Sequence, residues 1–309
     1  MAQAPGVREA TRAPAGRPRD AAAAGARRLL HALRSPWVAR LLSLALFVLG
    51  WYVLVPLLPT VLLPSPTRVA QFMWDELRGD TLAPQTVYEA FAVSLQRLGL
   101  GFLLALAVGV PIGLLVGLRR DVAAFLHDFV VVGLAVPSLL WALITAMWFG
   151  YGSVAPIVTV LLAATPFVVI NVAEGVRDAP KELLDAARAY EVPRARAVRH
   201  VVLPSLMPFF FASMRYGIAN GWKGLVLAEV FAATNGAGWT IRYWYDAHRA
   251  HGVIGYALFF LIFALLLERV VFGRLSAWVF RWRPAVTQDR RWRQGRRQRQ
   301  RGTNGADQG

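Results

Sequence analysis

Apolar positions gather along this chain in six runs, over residues 41–58, 95–118, 125–149, 154–176, 208–233 and 253–271. Each approaches or exceeds the length of about 20 residues that a helix needs to cross the hydrocarbon core of a bilayer. Within a bilayer a lipid-exposed segment must satisfy its own backbone groups, so each run is predicted to be a helix. Leu, Ile, Val and Phe each favour insertion by about 0.3–0.6 kcal/mol near the helix centre, enough for a run to carry one or two polar members. The runs are interrupted by Pro111, Pro137, Pro156, Pro166 and Pro208, and by closely spaced glycines as in "VGVPIGLLVG". Such breakers persist in a membrane where neighbouring helices or a wet cavity satisfy the freed groups, and small residues allow close helix contact. The pattern predicts a bundle with an internal pathway.

The polar segments between the runs differ from one another. Residues 180–190, "PKELLDAARAY", read as a short helix, with Pro180 suited to a first helical position. Leu183, Leu184 and Ala187 fall on one side of it. Glu191-Val192-Pro193 ends that helix, a second short one runs through "RARAVRHVVL", and Pro204 stops or kinks it. Two short amphipathic helices thus lie outside the lipid, and their apolar faces require either a partner protein or the underside of the bundle.

Composition agrees with the pattern. Of 309 residues 56% are hydrophobic, against about 45–50% in soluble domains. The net charge is +16, and the arginines cluster beside the apolar runs. Eight lie between Arg8 and Arg40, a pair at Arg119 and Arg120, six Lys or Arg between Arg177 and Arg199, and a dense group from Arg281 to Arg301. The turn at 150–153 has none. By the positive-inside rule both termini and residues 178–204 face the cytoplasm, in keeping with six spans. Residues 1–40 and 284–309 are predicted to be basic, disordered tails around a membrane domain at 41–283. A charge of this arrangement suits anionic headgroups rather than nucleic acid. With no cysteine, disulfides and thiolate metal sites are excluded, and no cleaved signal peptide is expected.

Candidate chemistry is sparse. Ionisable residues at membrane depth are functional candidates by default. Lys223 and Glu229, with Asn171, Asn220 and Trp141, are candidates for lining a pathway for an anionic solute. Arg97 and Arg215 read better as interhelical pairing groups. Asp246, His248 and His251 are too few for a zinc site. No H-E-x-x-H, G-x-S-x-G, facing carboxylate pair or G-x-x-x-x-G-K-[ST] loop occurs, so no catalytic residue is assigned and ATP has no phosphate loop here.

At residues 185–204 the pattern Glu-Ala-Ala, three residues, Gly, nine residues, Ile-x-Leu-Pro is met by Asp185-Ala186-Ala187, Glu191, Val201 and Leu203-Pro204. This segment resembles the EAA loop of binding-protein-dependent ABC importer permeases. "LLPSPTRV" at 62–69, "SLQRLGLGFLLALAVGVPIGLLVG" at 94–117, "WFG" at 148–150, "GVRDAPKELLDAA" at 175–187 and "RYGIANGWKGLVLAEVFAATNGAGW" at 215–239 resemble the nitrate/sulfonate/taurine subgroup. The resemblance implies an all-α, type I ABC importer permease-like bundle of six transmembrane helices in a bacterial inner membrane. It implies that Asp185, Ala186, Ala187, Glu191, Val201, Leu203 and Pro204 form a coupling surface for a cytoplasmic ABC ATPase dimer, which binds ATP and Mg while this chain holds no cofactor. It implies that a second permease chain and an extracytoplasmic solute-binding protein complete the assembly. Glu191 departs from the family's Gly, and the turn there is the feature this departure affects. An ion-coupled secondary transporter or a membrane enzyme working without an ATPase remains the alternative.

Overall fold

A computed structural model describes residues 36–59, 62–178 and 181–274. The tails expected at 1–40 and 284–309 therefore lie almost wholly outside the described residues. The chain divides into two compact units, residues 1–71 and 72–309.

The first unit holds helix α1, Pro36–Leu54, which continues into a 3-10 turn, Val55–Leu57. α1 exposes Leu41, Leu44, Leu46, Phe47 and Leu49 along its length, as the first apolar run requires. Trp51 Nε1 donates to the Pro64 carbonyl at 3.0 Å and folds the following segment back. Helix α2, Pro66–Arg78, begins in this unit and ends in the next.

The second unit is a helical bundle. Its members are α3 (Val87–Leu118), α4 (Arg120–Ala135), α5 (Ser138–Phe149), α6 (Val154–Arg177), α7 (Lys181–Ala189), α8 (Arg194–Ala197), α9 (Leu203–Ala232), α10 (Ala237–Asp246) and α11 (Ala250–Leu266). A π-turn at Val198–Val202 leads into α9, and another at Leu267–Phe272 prolongs α11. Among the described residues four helices are long and apolar enough to cross a membrane, or up to six if each of two bent pairs counts as one span.

One of those pairs changes the sequence expectation. The run at 125–149 forms α4 and α5, bent by 97°. The cause is Pro137, whose ring excludes the helical region for the residue before it; Val136 is accordingly extended at φ −65°, ψ 120°. The second run also starts earlier than its hydrophobicity indicates. Thr86 caps α3 by accepting from the Glu89 backbone N–H, while the Glu89 side chain accepts from the Thr86 N–H at 2.8 Å. This reciprocal capping box adds two turns of helix before the apolar stretch.

α6 lies between α3 and α9 and holds the core. Gly101, Ala105, Gly109, Gly113 and Gly117 recur every fourth residue on α3 and present one nearly side-chain-free stripe. A Cβ on Gly101 or Gly113 would lie 2.6 or 2.8 Å from an α6 carbonyl oxygen. The two backbones are that close because the stripe has no Cβ to separate them, the small-residue packing that membrane helices use where lipid offers no hydrophobic drive. Thr145 of α5 and Thr159 of α6 share a buried hydrogen bond of 2.6 Å. Trp222 of α9 packs against Phe260 and Phe263 of α11, with centroids 4.9 and 4.6 Å away.

Candidate functional site

Two polar regions stand out, at opposite ends of α9. At its Leu203 end lies the loop singled out in the sequence. α7 ends in a Schellman turn. The Glu191 N–H donates to Arg188 O at 3.0 Å and the Val192 N–H to Ala187 O at 2.8 Å, the paired 5→2 and 6→1 bonds of that motif. Glu191 takes the left-handed conformation, φ 51°. The left-handed turn for which glycine is the natural residue is thus formed here with glutamate. Asp185, Ala186, Arg188, Tyr190 and Glu191 are exposed, Tyr190 by 84%. Ala187 and Val201 are half-buried and Leu203 is 51% exposed. Arg188 pairs with Asp185 at 3.3 Å, both in solvent. Pro204 is the second residue of α9, directly after the π-turn, where its missing N–H cannot bond the preceding turn and the helix path bends by 52°.

At the Ala232 end, a buried polar hub joins α3, α9, α10 and the turn before α6. Arg97 Nη1 lies 2.8 Å from Glu229 Oε1, and the two side chains are 3% and 0% exposed. All the guanidinium donors are engaged. Nη1 also donates to Asn235 O at 2.8 Å, Nη2 to Ser153 Oγ at 3.0 Å and to Asn235 Oδ1, and Nε to Ser153 Oγ at 3.3 Å. The carboxylate receives the Gly238 N–H at 2.9 Å, and the Ser94 hydroxyl lies within 2.9 Å of both its oxygens. Ser94 in turn accepts from the Ala237 N–H at 2.9 Å. Gln85 closes the hub, donating to Gly236 O at 3.0 Å and to Thr240 Oγ1 at 2.6 Å. Gly236 sits at φ 101°, and a Cβ there would lie 2.5 Å from Glu229 Oε1, so both backbone and space demand glycine.

The other candidates disperse. Asn171 donates to Phe167 O at 2.7 Å and Asn220 to Tyr216 O at 2.9 Å, each back along its own helix. Trp141 Nε1 is buried without a hydrogen-bond partner among the described residues. Arg215 pairs with Glu268. Lys223 is exposed and has no polar partner among the described residues. Asp246, His248 and His251 do not gather, and no group of three metal-ligating side chains forms among the described residues.

Sequence reasoning missed a second buried carboxyl. Glu76 of α2 is 1% exposed and accepts from Thr81 Oγ1 at 2.6 Å and from the Tyr256 hydroxyl at 3.0 Å. Burial raises its pKa above the ordinary carboxyl value, against the opposing pull of those two bonds. The signal was faint: Glu76 follows Phe72 and Met73 by the four and three residues that share a helix face.

Residues 109–280 match the family described as "Binding-protein-dependent transport system inner membrane component". The chain is 27% identical to the taurine transport system permease protein TauC of Escherichia coli (strain K12), over 81% of this chain and 95% of that one. It is likewise 27% identical to the nitrate import permease protein NrtB of Synechococcus elongatus, over 80% of this chain and 89% of that one. Among solved structures, an inward-facing form of the MetNI methionine ABC transporter aligns with 20% identity and a TM-score of 0.53, covering 68% of this chain and 98% of that chain. That likeness concerns the fold.

Proposed function

Because the chain belongs to the family of binding-protein-dependent transport system inner membrane components, and is an ABC importer permease of the nitrate/sulfonate/taurine type, we propose that residues 178–204 couple it to a separate cytoplasmic ATPase. Two copies pair around one pathway, an extracytoplasmic binding protein delivers cargo, and the cargo carries an anionic oxo group, as in a sulfonate or nitrate. Both termini and the coupling loop face the cytoplasm. Closure of the ATPase dimer on ATP moves α7 as a rigid body, and α9, which continues directly from the loop, carries the displacement into the bundle. Asn171, Asn220, Trp141, Lys223 and Glu229 are the candidates for groups along the pathway.

The observation that supports this reading is the loop itself. α7 ends in a hydrogen-bonded turn that fixes its direction, yet it leaves Asp185, Ala186, Arg188 and Tyr190 exposed. A rigid, exposed amphipathic helix is a surface suited to a groove in a partner. The test is to replace Ala187 with glutamate in the assembled transporter. The expected result is a chain that inserts and pairs normally but loses ATP-driven uptake and cysteine crosslinks between α7 and the ATPase. Full uptake with the ATPase still bound would refute the coupling role.

A further inference from the structure

We propose that Lys223 is the charge that makes the pathway favour anions, acting from a polar stripe on α9 with Tyr216 and Asn220. The inference rests on the importer reading above and gives its cargo path a residue.

The ionisable groups around Lys223 in the bundle are matched. Arg97 holds Glu229, and Arg215 holds Glu268. Lys223 has no hydrogen-bond or ion-pair partner among the described residues and is exposed. Its place along α9 is inside the apolar run at 208–233. It stands nine residues before the end of the helix at Ala232, about 13 Å at 1.5 Å per residue. Its neighbour Gly224 packs at the level of Thr159 and Ser138, where a Cβ would lie 3.1 and 3.7 Å from their side chains. An unpaired ammonium facing lipid at such depth is unfavourable, whereas one facing a water-filled cavity keeps its hydration.

The composition of the exposed faces decides between those two surroundings. α3 exposes Leu100, Leu103, Leu104 and Val108, and α11 exposes Leu261, Ile262, Leu265 and Leu266. These are faces built for lipid. α9 exposes Leu203, Met207 and Phe231 near its ends, but over residues 216–223 its outer face carries Tyr216, Ala219 and Lys223 with Asn220 half-buried among them, three of them with polar groups and the fourth small. Positions 216, 220 and 223 follow the four- and three-residue steps of one helix face. Asn220 spends one of its two amide N–H donors on Tyr216 O, so the stripe's free donors are the Lys223 ammonium, the Tyr216 hydroxyl and the second Asn220 N–H. Such donors recognise an anionic oxo group. In a pair of copies around one pathway the charge is present twice.

The absence of cysteine from the chain provides a clean test in the full chain, in native membranes with its ATPase. Asn220→Cys, and Tyr216→Cys as a second reporter, are treated with a sulfonate-bearing and a trimethylammonium-bearing methanethiosulfonate of similar size. Leu103→Cys serves as the lipid-facing control. The stripe cysteines are expected to react while Leu103→Cys does not. The anionic reagent is expected to be favoured, and Lys223→Gln to lower the anionic-to-cationic rate ratio about tenfold, the effect of one charge at roughly 6 Å in a water-like medium. Lys223→Arg should keep the ratio. Stripe cysteines as inert as Leu103→Cys, or a ratio unmoved by Lys223→Gln, would overturn the proposal. Recovery of the ATPase with the chain is read separately, so a failure of the importer reading shows itself as a lost partner and not as an altered ratio.

Discussion

Arg97 and Glu229 are separated by 132 residues of chain and meet 2.8 Å apart with almost no solvent contact. The pair is not held by its charges alone. Taking both ions out of water is costly, and their attraction offsets that only when the remaining donors and lone pairs are also satisfied. Here Ser94, Ser153, Asn235 and Gly238 complete both shells. Removing one ion strands the other. Arg97→Ala and Glu229→Ala should each destabilise the chain by about 3–5 kcal/mol, seen as a large fall in melting temperature in detergent. An Arg97→Met, Glu229→Leu double variant should lose much less than the sum of the two singles. Additive losses would mean that the ions do not act on each other.

The stripe between α3 and α6 makes a sharper prediction, because it contains its own control. Gly113→Ala would set a Cβ 2.8 Å from Val169 O and from Val172 Cβ, while Gly99→Ala on the same helix meets nothing within 4 Å. Forcing two packed backbones apart costs about 1–3 kcal/mol. Replacing an open helical glycine by alanine gains about 0.5–1 kcal/mol. Thermal unfolding of the two variants should therefore move in opposite directions. Movement in the same direction would contradict the close α3–α6 packing.

How much of this was legible beforehand follows from where the information lies. The spans are written in local hydrophobicity, and their positions follow from it. The start of α3 was not, because its first two turns are polar and depend on the Thr86–Glu89 capping box rather than on burial. Pro137 was visible as a breaker, but a proline alone does not say whether a helix kinks or turns; Pro111 and Pro166 lie inside continuous helices, and Pro137 separates two at 97°. α2 and α10 were hidden because short amphipathic helices lack a long apolar signal. The hub around Glu229 was half legible. The residue was conspicuous at membrane depth, but its partners come from α3, from the turn before α6 and from α10, and contacts between distant segments are not encoded in spacing.

Glu76 predicts a pH dependence of stability. Its folded pKa is raised by burial above the ordinary value of 4.5, so the folded chain binds more protons than the unfolded one in the window above that value. Stability therefore falls as pH rises through this window, and this group's contribution is fully present only below it. Glu76→Gln keeps an acceptor for Thr81 or Tyr256 without the ionisation. The variant should melt higher than the wild type at neutral pH and show a flatter profile from pH 4.5 upward. A wild-type profile that instead rises through this window because of Glu76, and flattens in the variant, would contradict the sign.

The last prediction concerns Glu191, whose backbone does what glycine does in the family pattern. A left-handed residue with a Cβ carries a penalty of about 1–2 kcal/mol. Glycine removes that penalty but adds about 0.5–1 kcal/mol of unfolded-state entropy, so Glu191→Gly should stabilise the chain by about 0.5–1 kcal/mol. Because the Schellman bonds from positions 191 and 192 use only the backbone, that variant should also retain ATP-driven uptake. Glu191→Val is the opposite case. A β-branched side chain is a true outlier at positive φ, so the turn should open and the direction of α7 should be lost. Coupling would then fail while the chain still inserts. Uptake measured for both variants in the same vesicles separates the two influences. Loss in Glu191→Gly would assign the role to the carboxylate, and loss confined to Glu191→Val assigns it to the shape of the turn.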